Sequence, residues 1–397
     1  MWGLIAQIHV LLLPLYRGCL VGIIFFILGL GTLLPWNFFM TASLYFQGRL
    51  NTTEMINGTV VVRKEYYFNN WMTLLSQLPL LLFTLLNSVL YQRISEAVRI
   101  AGSLVFILLL FILTAVLVKV PMEEDQFFSI TMATIWFINS FGAVLQGSLF
   151  GLVGLLPQRY SAIFMSGQGL AGTFAAVAML LAIASDADSE SAALGYFITP
   201  CVGTLVTLFS YLLLPRLVSQ RLSPHECITQ NSLTMAFCVT FVFTVTLSVF
   251  PAVTVDVKTS FPGKWDRFFI SVCCFLIFNI HDWFGRTITT WIQWPRKESR
   301  LFPMLVVSRV VFIPLLMFCN VQNRFYLPVL FTHDAAFATI MAFFSLSSGY
   351  FVCLSMSYAP QLVESKDAET AGALMTFFLA LGLSIGAALS FPLRNMV

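Results

Sequence analysis

Long apolar segments constrain this chain more than any other feature of its sequence. Eleven runs of about 18 to 28 residues consist mainly of apolar side chains, and polar residues, glycine or proline separate them. About 20 such residues form a helix long enough to cross the hydrocarbon core of a bilayer. We therefore predict eleven transmembrane helices, over residues 18–45, 70–91, 98–119, 127–156, 160–185, 192–215, 232–255, 266–294, 302–320, 334–359 and 367–393.

The composition agrees with a chain that lies mostly in lipid. Charged residues make up 10% of it and hydrophobic residues 58%, and the mean hydropathy is +0.88. A soluble domain carries about 25% charged residues, so an ordinary cytosolic enzyme is excluded. The net charge of +3 is spread thinly, without the basic block that nucleic acids or anionic lipids attract. The eight cysteines lie in or beside apolar runs, so we expect neither a disulfide framework nor a zinc site.

Two glycosylation acceptor patterns predict the orientation. Asn51 and Asn57 begin Asn-x-Thr patterns in the connection after the first predicted helix, which places that connection outside the cell. The N-terminus is then cytoplasmic, and eleven helices put the C-terminus outside. The longest cytoplasmic connection follows the sixth helix. We therefore predict an all-α polytopic membrane protein with a six-helix bundle over 1–215, a short loop over 216–231 and a five-helix bundle over 232–397.

The eighth predicted helix carries a line of polar residues. Phe275, Asn279, Asp282 and Arg286 are three or four positions apart, so they lie along one face of a helix. A charge near the middle of a bilayer costs at least ~2.5 kcal/mol, so such residues face protein or a cavity. An aromatic ring, an amide and an ion pair in line suit a polar, planar ligand. The alternative is a salt bridge that only pins helices together. Arg309 is a further cation within a predicted helix.

Three other predicted helices carry similar lines. They are Leu33, Trp36, Asn37 and Met40; Gln77, Leu80, Thr84 and Asn87; and Asn139, Gly142 and Gln146. One buried amide alone is typical of a hydrogen bond between helices, but four lines together favour a central polar pocket. Asp282 is the one carboxylate expected at mid-depth, and Arg286 cancels its charge, so the pattern favours passive movement of a neutral solute. A carrier coupled to protons through Asp282 and a receptor that binds without transporting are the alternatives.

Motifs for other chemistry are missing from the sequence. It contains no GxxxxGK[ST] motif for nucleotide binding and no HExxH motif of a metal-dependent hydrolase, and its four histidines are scattered. We therefore expect no enzymatic activity, no cofactor and no metal.

Several stretches resemble the equilibrative nucleoside transporters. The most specific are PWN and DWFGR; further likeness is carried by GLGTLLPWNFFMTA, LPLLLFTLLNS, INSFGAVLQGSLFG, MSGQGLAG, FPAVT and ETAGALMTFFLALGL. The residues at 68–71, 74–88, 243–252 and 373–384 are most similar to the mammalian type that resists nitrobenzylthioinosine and also carries nucleobases. The resemblance implies an eleven-helix relative of the major facilitator fold. It also implies a monomer in the plasma membrane that moves adenosine, uridine and hypoxanthine down their gradients by alternating access.

The resemblance further implies roles for individual residues. Substrate contacts are expected from Leu33, Trp36, Gln77, Leu80, Gln146, Asn279, Asp282, Arg286 and Leu383. The outer gate is expected at Met40, Phe250, Pro251 and Phe275, and the inner gate at Arg99 and Glu369. Packing or transport is expected to need Gly167 and Gly172. Gln146 would bond the nucleobase, while Asp282 and Arg286 would hold the ribose hydroxyls. The loop at 216–231 is shorter than is usual in mammalian members, and Gln77 replaces the methionine of the inhibitor-sensitive type.

Overall fold

A computed structural model describes residues 2–50, 53–56, 59–62, 66, 68–90, 93–185, 189–217, 233–261, 263–322, 324, 326–364 and 367–397. The two glycosylation acceptors, Asn51 and Asn57, and most of the predicted loop at 216–231 lie outside these residues.

Helices form most of the described chain. In chain order they are α1 (Trp2–Thr41), α2 (Ser43–Leu50), α3 (Phe68–Leu90), α4 (Glu96–Lys119), α5 (Glu124–Gly154), α6 (Gln158–Ala184), α7 (Ser189–Leu217), α8 (Leu233–Val249), α9 (Asp266–Phe269), α10 (Ile277–Ile288), α11 (Leu301–Ser308), α12 (Phe312–Met317), α13 (Asp334–Tyr358) and α14 (Ala368–Met396). A π-helical segment (Ile270–Leu276) joins α9 to α10, and short 3₁₀ segments are Thr254–Asp256, Arg309–Val311 and Ala359–Leu362. Within the described ranges, ten helical segments are long and apolar enough to span a membrane. They correspond to ten of the eleven predicted helices. Helices suit this setting because a bilayer core offers no partner for unpaired backbone groups.

The ninth predicted helix is shorter and broken. The segment Leu301–Met317 consists of α11, a 3₁₀ turn that begins at Arg309, and α12, which contains Pro314. At about 1.5 Å per residue its length is about 25 Å, less than the ~30 Å of a hydrocarbon core. The count of eleven helices and the division into six and five therefore stay predictions.

A small hairpin interrupts the helical architecture. Strands β1 (Thr53–Ile56) and β2 (Thr59–Val62) pair antiparallel in the connection between α2 and α3. The sequence predicted an all-α protein, so this hairpin was not expected. Three consecutive valines, Val60 to Val62, favour an extended backbone because branched side chains pack well on a pleated surface.

Glycines set the closest contacts between helices. A Cβ added at Gly167 of α6 would overlap the carbonyl oxygen of Phe26, and one added at Gly29 of α1 would overlap that of Phe164. The backbones of α1 and α6 therefore touch, as small residues allow in membrane helices. The two predicted bundles also contact each other, since α10 packs on α6 and α14 packs on α3 and α5.

Polar contacts fix the connections beyond α8. Arg394 of α14 donates to Asp256 over 2.7 Å, and Arg324 donates to the carbonyl oxygens of Met317 and Leu327 over 2.7 and 2.9 Å. Burial lowers the pKa of the Arg324 guanidinium from its ordinary value. The Arg394 contact ties the segment that follows Phe250 to the end of α14, and the Arg324 contacts hold the connection after α12.

Candidate functional site

Helix α10 lies in close contact with two other helices. A Cβ added at Gly349 of α13 would overlap the carbonyl oxygen of Asp282, and one at Gly169 of α6 would come within 2.8 Å of the Trp283 Cα atom. Because neither glycine carries a side chain, α10 approaches both neighbours at backbone distance. The line of polar residues on α10 therefore belongs to a helix of the predicted five-helix bundle that also contacts α6 of the predicted six-helix bundle.

An ion pair occupies the middle of α10. Arg286 Nε donates to Asp282 Oδ2 over 2.7 Å, and each residue is 8% exposed. The pair follows from helical geometry, because residues four apart are neighbours on one face. Removing either partner would leave the other charge buried and unpaired. The remaining oxygen of Asp282 and the remaining guanidinium N–H groups can meet hydroxyl groups of a ligand.

Asn279 lies one turn away from this pair. Its Nδ2 atom donates to the carbonyl oxygen of Phe275 over 2.9 Å, and Thr173 Oγ1 donates to the carbonyl oxygen of Asn279 over 3.0 Å. Its side-chain oxygen faces Gly172 of α6, where an added Cβ would overlap it; Asn37 of α1 lies nearby. The structure thus brings together Gly172, Asn279 and Asn37 from three helices.

Two of the predicted outer-gate residues are in contact. The ring centroids of Phe250 and Phe275 are 5.9 Å apart and nearly perpendicular, and Phe250 stacks on Phe278 with centroids 3.9 Å apart. Pro251 follows at the end of α8. Met40 lies on α1 and is 39% exposed, so its part in this gate stays a prediction.

The remaining predicted substrate contacts come from α1, α3, α5 and α14. Leu33, Trp36, Gln77, Leu80 and Leu383 are partly buried, and the Trp36 ring stacks on that of Phe39 with centroids 6.0 Å apart. The side-chain oxygen of Gln77 is buried without a hydrogen-bond partner. Gln146 is 8% exposed, and the described residues offer its amide no hydrogen bond. Buried amide groups without partners are costly, so both are available to a ligand.

The predicted inner-gate residues belong to a polar cluster at the helix ends that lie away from the predicted outer gate. Arg99 donates to Ser148 Oγ over 3.3 Å, and Ser148 donates to Asn87 Oδ1 over 3.3 Å. Tyr211 donates to Glu96 over 3.1 Å. Glu96 lies close enough to Arg99 and Glu369 for their charges to act on it. The charges of α4 and α14 therefore meet here, and the role of Arg99 and Glu369 as the inner gate stays a prediction.

Sequence reasoning noted Arg309 but gave it no role. In the structure it is 1% exposed and among the largest fully buried side chains. The signal was present, because an ionisable residue inside a membrane segment is a functional hypothesis by default. His281, which the sequence left without a role, hydrogen-bonds through Nδ1 to the carbonyl oxygen of Ile277 in its own helix, over 2.8 Å. Among the described residues, no cluster of three His, Cys, Asp or Glu residues is suited to a metal ion.

Comparison with known proteins identifies the family. The family model described as "Nucleoside transporter" matches residues 132–226 and 218–395. Equilibrative nucleoside transporter 2 of Homo sapiens is 52% identical over 444 aligned positions, covering 95% of this chain and 97% of the relative. Equilibrative nucleoside transporter 1 of Homo sapiens is 47% identical over 450 positions, covering 97% and 99%. Both alignments are longer than the 397 residues of the chain, so each relative contains segments that this chain lacks.

Solved structures agree in fold at low sequence identity. The major facilitator superfamily transporter FucP in its outward conformation matches with a TM-score of 0.60 and 12% identity, covering 94% of this chain and 90% of that one. A second structure, of the E. coli fucose:proton symporter FucP, matches with a TM-score of 0.52 and 11% identity, covering 96% and 91%. The helices therefore follow a major facilitator arrangement. By family match and by identity over almost its whole length, the chain belongs to the nucleoside transporter family.

Proposed function

We propose that this membrane protein moves nucleosides down their concentration gradient by alternating access around a central site. Nucleobases are proposed as further substrates. The single observation that carries the proposal is the buried Asp282–Arg286 pair on α10, which packs on α13 of its own predicted bundle and on α6 of the other. The relatives, which are equilibrative nucleoside transporters by name, support the same substrate class.

The ion pair explains how a neutral, hydroxyl-rich solute is selected. A carboxylate accepts hydrogen bonds from ribose hydroxyls, while guanidinium N–H groups donate to their oxygens. The two charges cancel each other, so the pair itself demands no charge from the substrate. A buried site built for hydroxyls rejects analogues that lack them, because its own polar groups would be left unpaired. In this proposal Gln146 bonds the base and Trp36 and Leu80 pack against it.

Alternating access requires gates at both ends of this site. Phe250, Pro251 and Phe275 form the proposed outer gate, where aromatic contacts exclude water. Arg99 and Glu369 belong to the proposed inner gate, whose polar contacts open when the bundles rock. We place the N-terminus in the cytoplasm, the C-terminus outside, and the protein in the plasma membrane as a monomer of eleven helices.

Counterflow is the experiment that tests this function. Purified protein in liposomes loaded with unlabelled uridine, without a sodium or pH gradient, is expected to accumulate labelled uridine transiently. Adenosine and hypoxanthine should compete. Liposomes without protein provide the baseline, and Arg286→Ala provides the site control.

Each rival reading has its own outcome in this assay. Exchange that begins only after an inward proton gradient is imposed would replace the proposal with a proton-coupled carrier that uses Asp282. Saturable uridine binding without any exchange would indicate a receptor. The likeness to FucP bears on fold alone and does not decide between these outcomes.

Gly172→Ala should weaken nucleoside binding while the fold is kept. The added methyl group overlaps the Asn279 side-chain oxygen, which can rotate away but then loses its place in the site. Loss of one such hydrogen bond corresponds to about 1 kcal/mol, so the half-saturation concentration for uridine should rise about fivefold. Gly195→Ala, on α7 and outside the proposed site, is the matched control, because no atom lies within 4 Å of the added Cβ. An unchanged half-saturation concentration in Gly172→Ala would remove Asn279 from the site.

A further inference from the structure

Arg309 is a buried cation without a local counter-charge. Its Nε atom donates to Ser347 Oγ over 3.1 Å, and its terminal nitrogens donate to the Val242 carbonyl oxygen, Thr246 Oγ1 and the Phe344 carbonyl oxygen over 3.0, 3.1 and 3.3 Å. All four acceptors are neutral. No carboxylate of the described chain forms an ion pair with it. The guanidinium is therefore hydrogen-bonded only to neutral groups, and an arginine side chain stays protonated in proteins.

The neighbours of Arg309 link it to the proposed site and to the outer gate. Thr246, which accepts from Arg309, also shares a hydrogen bond of 3.2 Å with Ser348, the residue before the close contact of Gly349 with Asp282. The guanidinium lies over the ring of Phe344, 5.4 Å from its centroid, and that ring is 6.1 Å from the ring of Phe278.

The charges around the site therefore do not cancel. Asp282 is the described carboxylate whose charge acts on Arg309, but Asp282 is already paired with Arg286 at 2.7 Å. Counting Asp282 as −1 and the two arginines as +1 each gives a sum of +1. At an effective dielectric constant of about 20, a net charge of +1 repels a monovalent cation about 10 Å away. This repulsion would weaken binding of the cation roughly tenfold.

We infer that Arg309 is a specificity-determining residue that excludes cationic solutes from the transport path. This inference rests on the proposed function, because it concerns which nucleosides the same site accepts. Neutral nucleosides are unaffected by the extra charge. Cationic nucleosides are repelled by this charge, because the nearby carboxylate of Asp282 is already paired with Arg286.

Two isomeric nucleosides test the inference. At neutral pH, 1-methyladenosine is protonated and carries one positive charge, whereas N6-methyladenosine is neutral, although the unprotonated forms are isomers. In liposomes we expect the parent protein to exchange the neutral isomer and to discriminate against the cation. Arg309→Met, which has a similar length and no charge, should raise the ratio of cation to neutral exchange about tenfold. Arg309→Lys keeps the charge and should keep the parent ratio.

A second variant keeps the test decisive if Arg309→Met does not fold. Ser347→Asp places a carboxylate beside the unchanged Arg309, and neutralising the arginine in place should relax the ratio in the same way. An unchanged ratio in either folded variant overturns the inference. Equal competition by the two isomers against uridine in the parent protein overturns it without any variant. Failure of uridine exchange in the parent would instead overturn the proposed function, and this inference with it.

Discussion

Arg286→Ala is expected to abolish uridine exchange. The substitution removes the partner that lies 2.7 Å from Asp282 and leaves a carboxylate that is 8% exposed without a counter-charge. Breaking a buried pair in this way costs about 3–5 kcal/mol. The same change removes the guanidinium donors proposed for the ribose hydroxyls. Exchange at matched protein amounts should therefore fall at least a hundredfold.

Two further variants separate the loss of binding from the loss of folding. Gln77→Met changes a neutral member of the proposed site and should reduce exchange far less. The double variant Asp282→Asn, Arg286→Gln removes both charges, so it should recover the melting temperature that Arg286→Ala loses but should not recover exchange. Exchange by Arg286→Ala equal to that of the parent would remove the pair from the site.

Gly349→Ala is expected to have the second largest effect. The added Cβ overlaps the carbonyl oxygen of Asp282, and a backbone atom cannot rotate away as a side chain can. Helices α10 and α13 must separate, which shifts the whole line of polar residues on α10. Overpacking destabilises a fold by about 1–3 kcal/mol when side chains can adjust. A clash with backbone should cost at least the upper value of this range. We expect a lower melting temperature and at least about a tenfold loss of exchange.

Gly102→Ala is the matched control for this variant. Gly102 also lies within a membrane helix, α4, but no atom is within 4 Å of its added Cβ. Alanine favours the helix over glycine by about 1 kcal/mol, so this control should be neutral or slightly more stable. If Gly349→Ala melted and exchanged like Gly102→Ala, the close contact of α10 with α13 would not be needed for transport.

The membrane helices are the part of this protein that sequence predicts best. An apolar run of sufficient length is a local property, and ten of the eleven predicted helices have counterparts among the described segments. The ninth differs because its length and its break at Arg309 depend on what surrounds it. Arg309 is buried there, and its neutral hydrogen-bond acceptors belong to α8 and α13, up to 67 positions away in the sequence.

The two gates show the same limit. The outer-gate role of Phe250 and Phe275 was predicted through a family resemblance, and their ring contact joins the end of α8 to the π-helical segment before α10. For Arg99 and Glu369 the resemblance predicted an inner-gate role. The structure shows the polar cluster they belong to, and their role as a gate stays a prediction.

The sequence by itself determined which segments are helices and that Asp282 and Arg286 share a face, because helical spacing relates positions three and four apart. It also contained enough family-specific residues to indicate the substrate class. The tertiary structure alone decided that Gly349 and Gly169 bring α13 and α6 against α10. It likewise decided that Gly172 faces Asn279 and that the hydrogen-bond acceptors of Arg309 are all neutral groups. These contacts join residues far apart in the chain, and no local spacing predicts which distant backbones approach closely enough to touch.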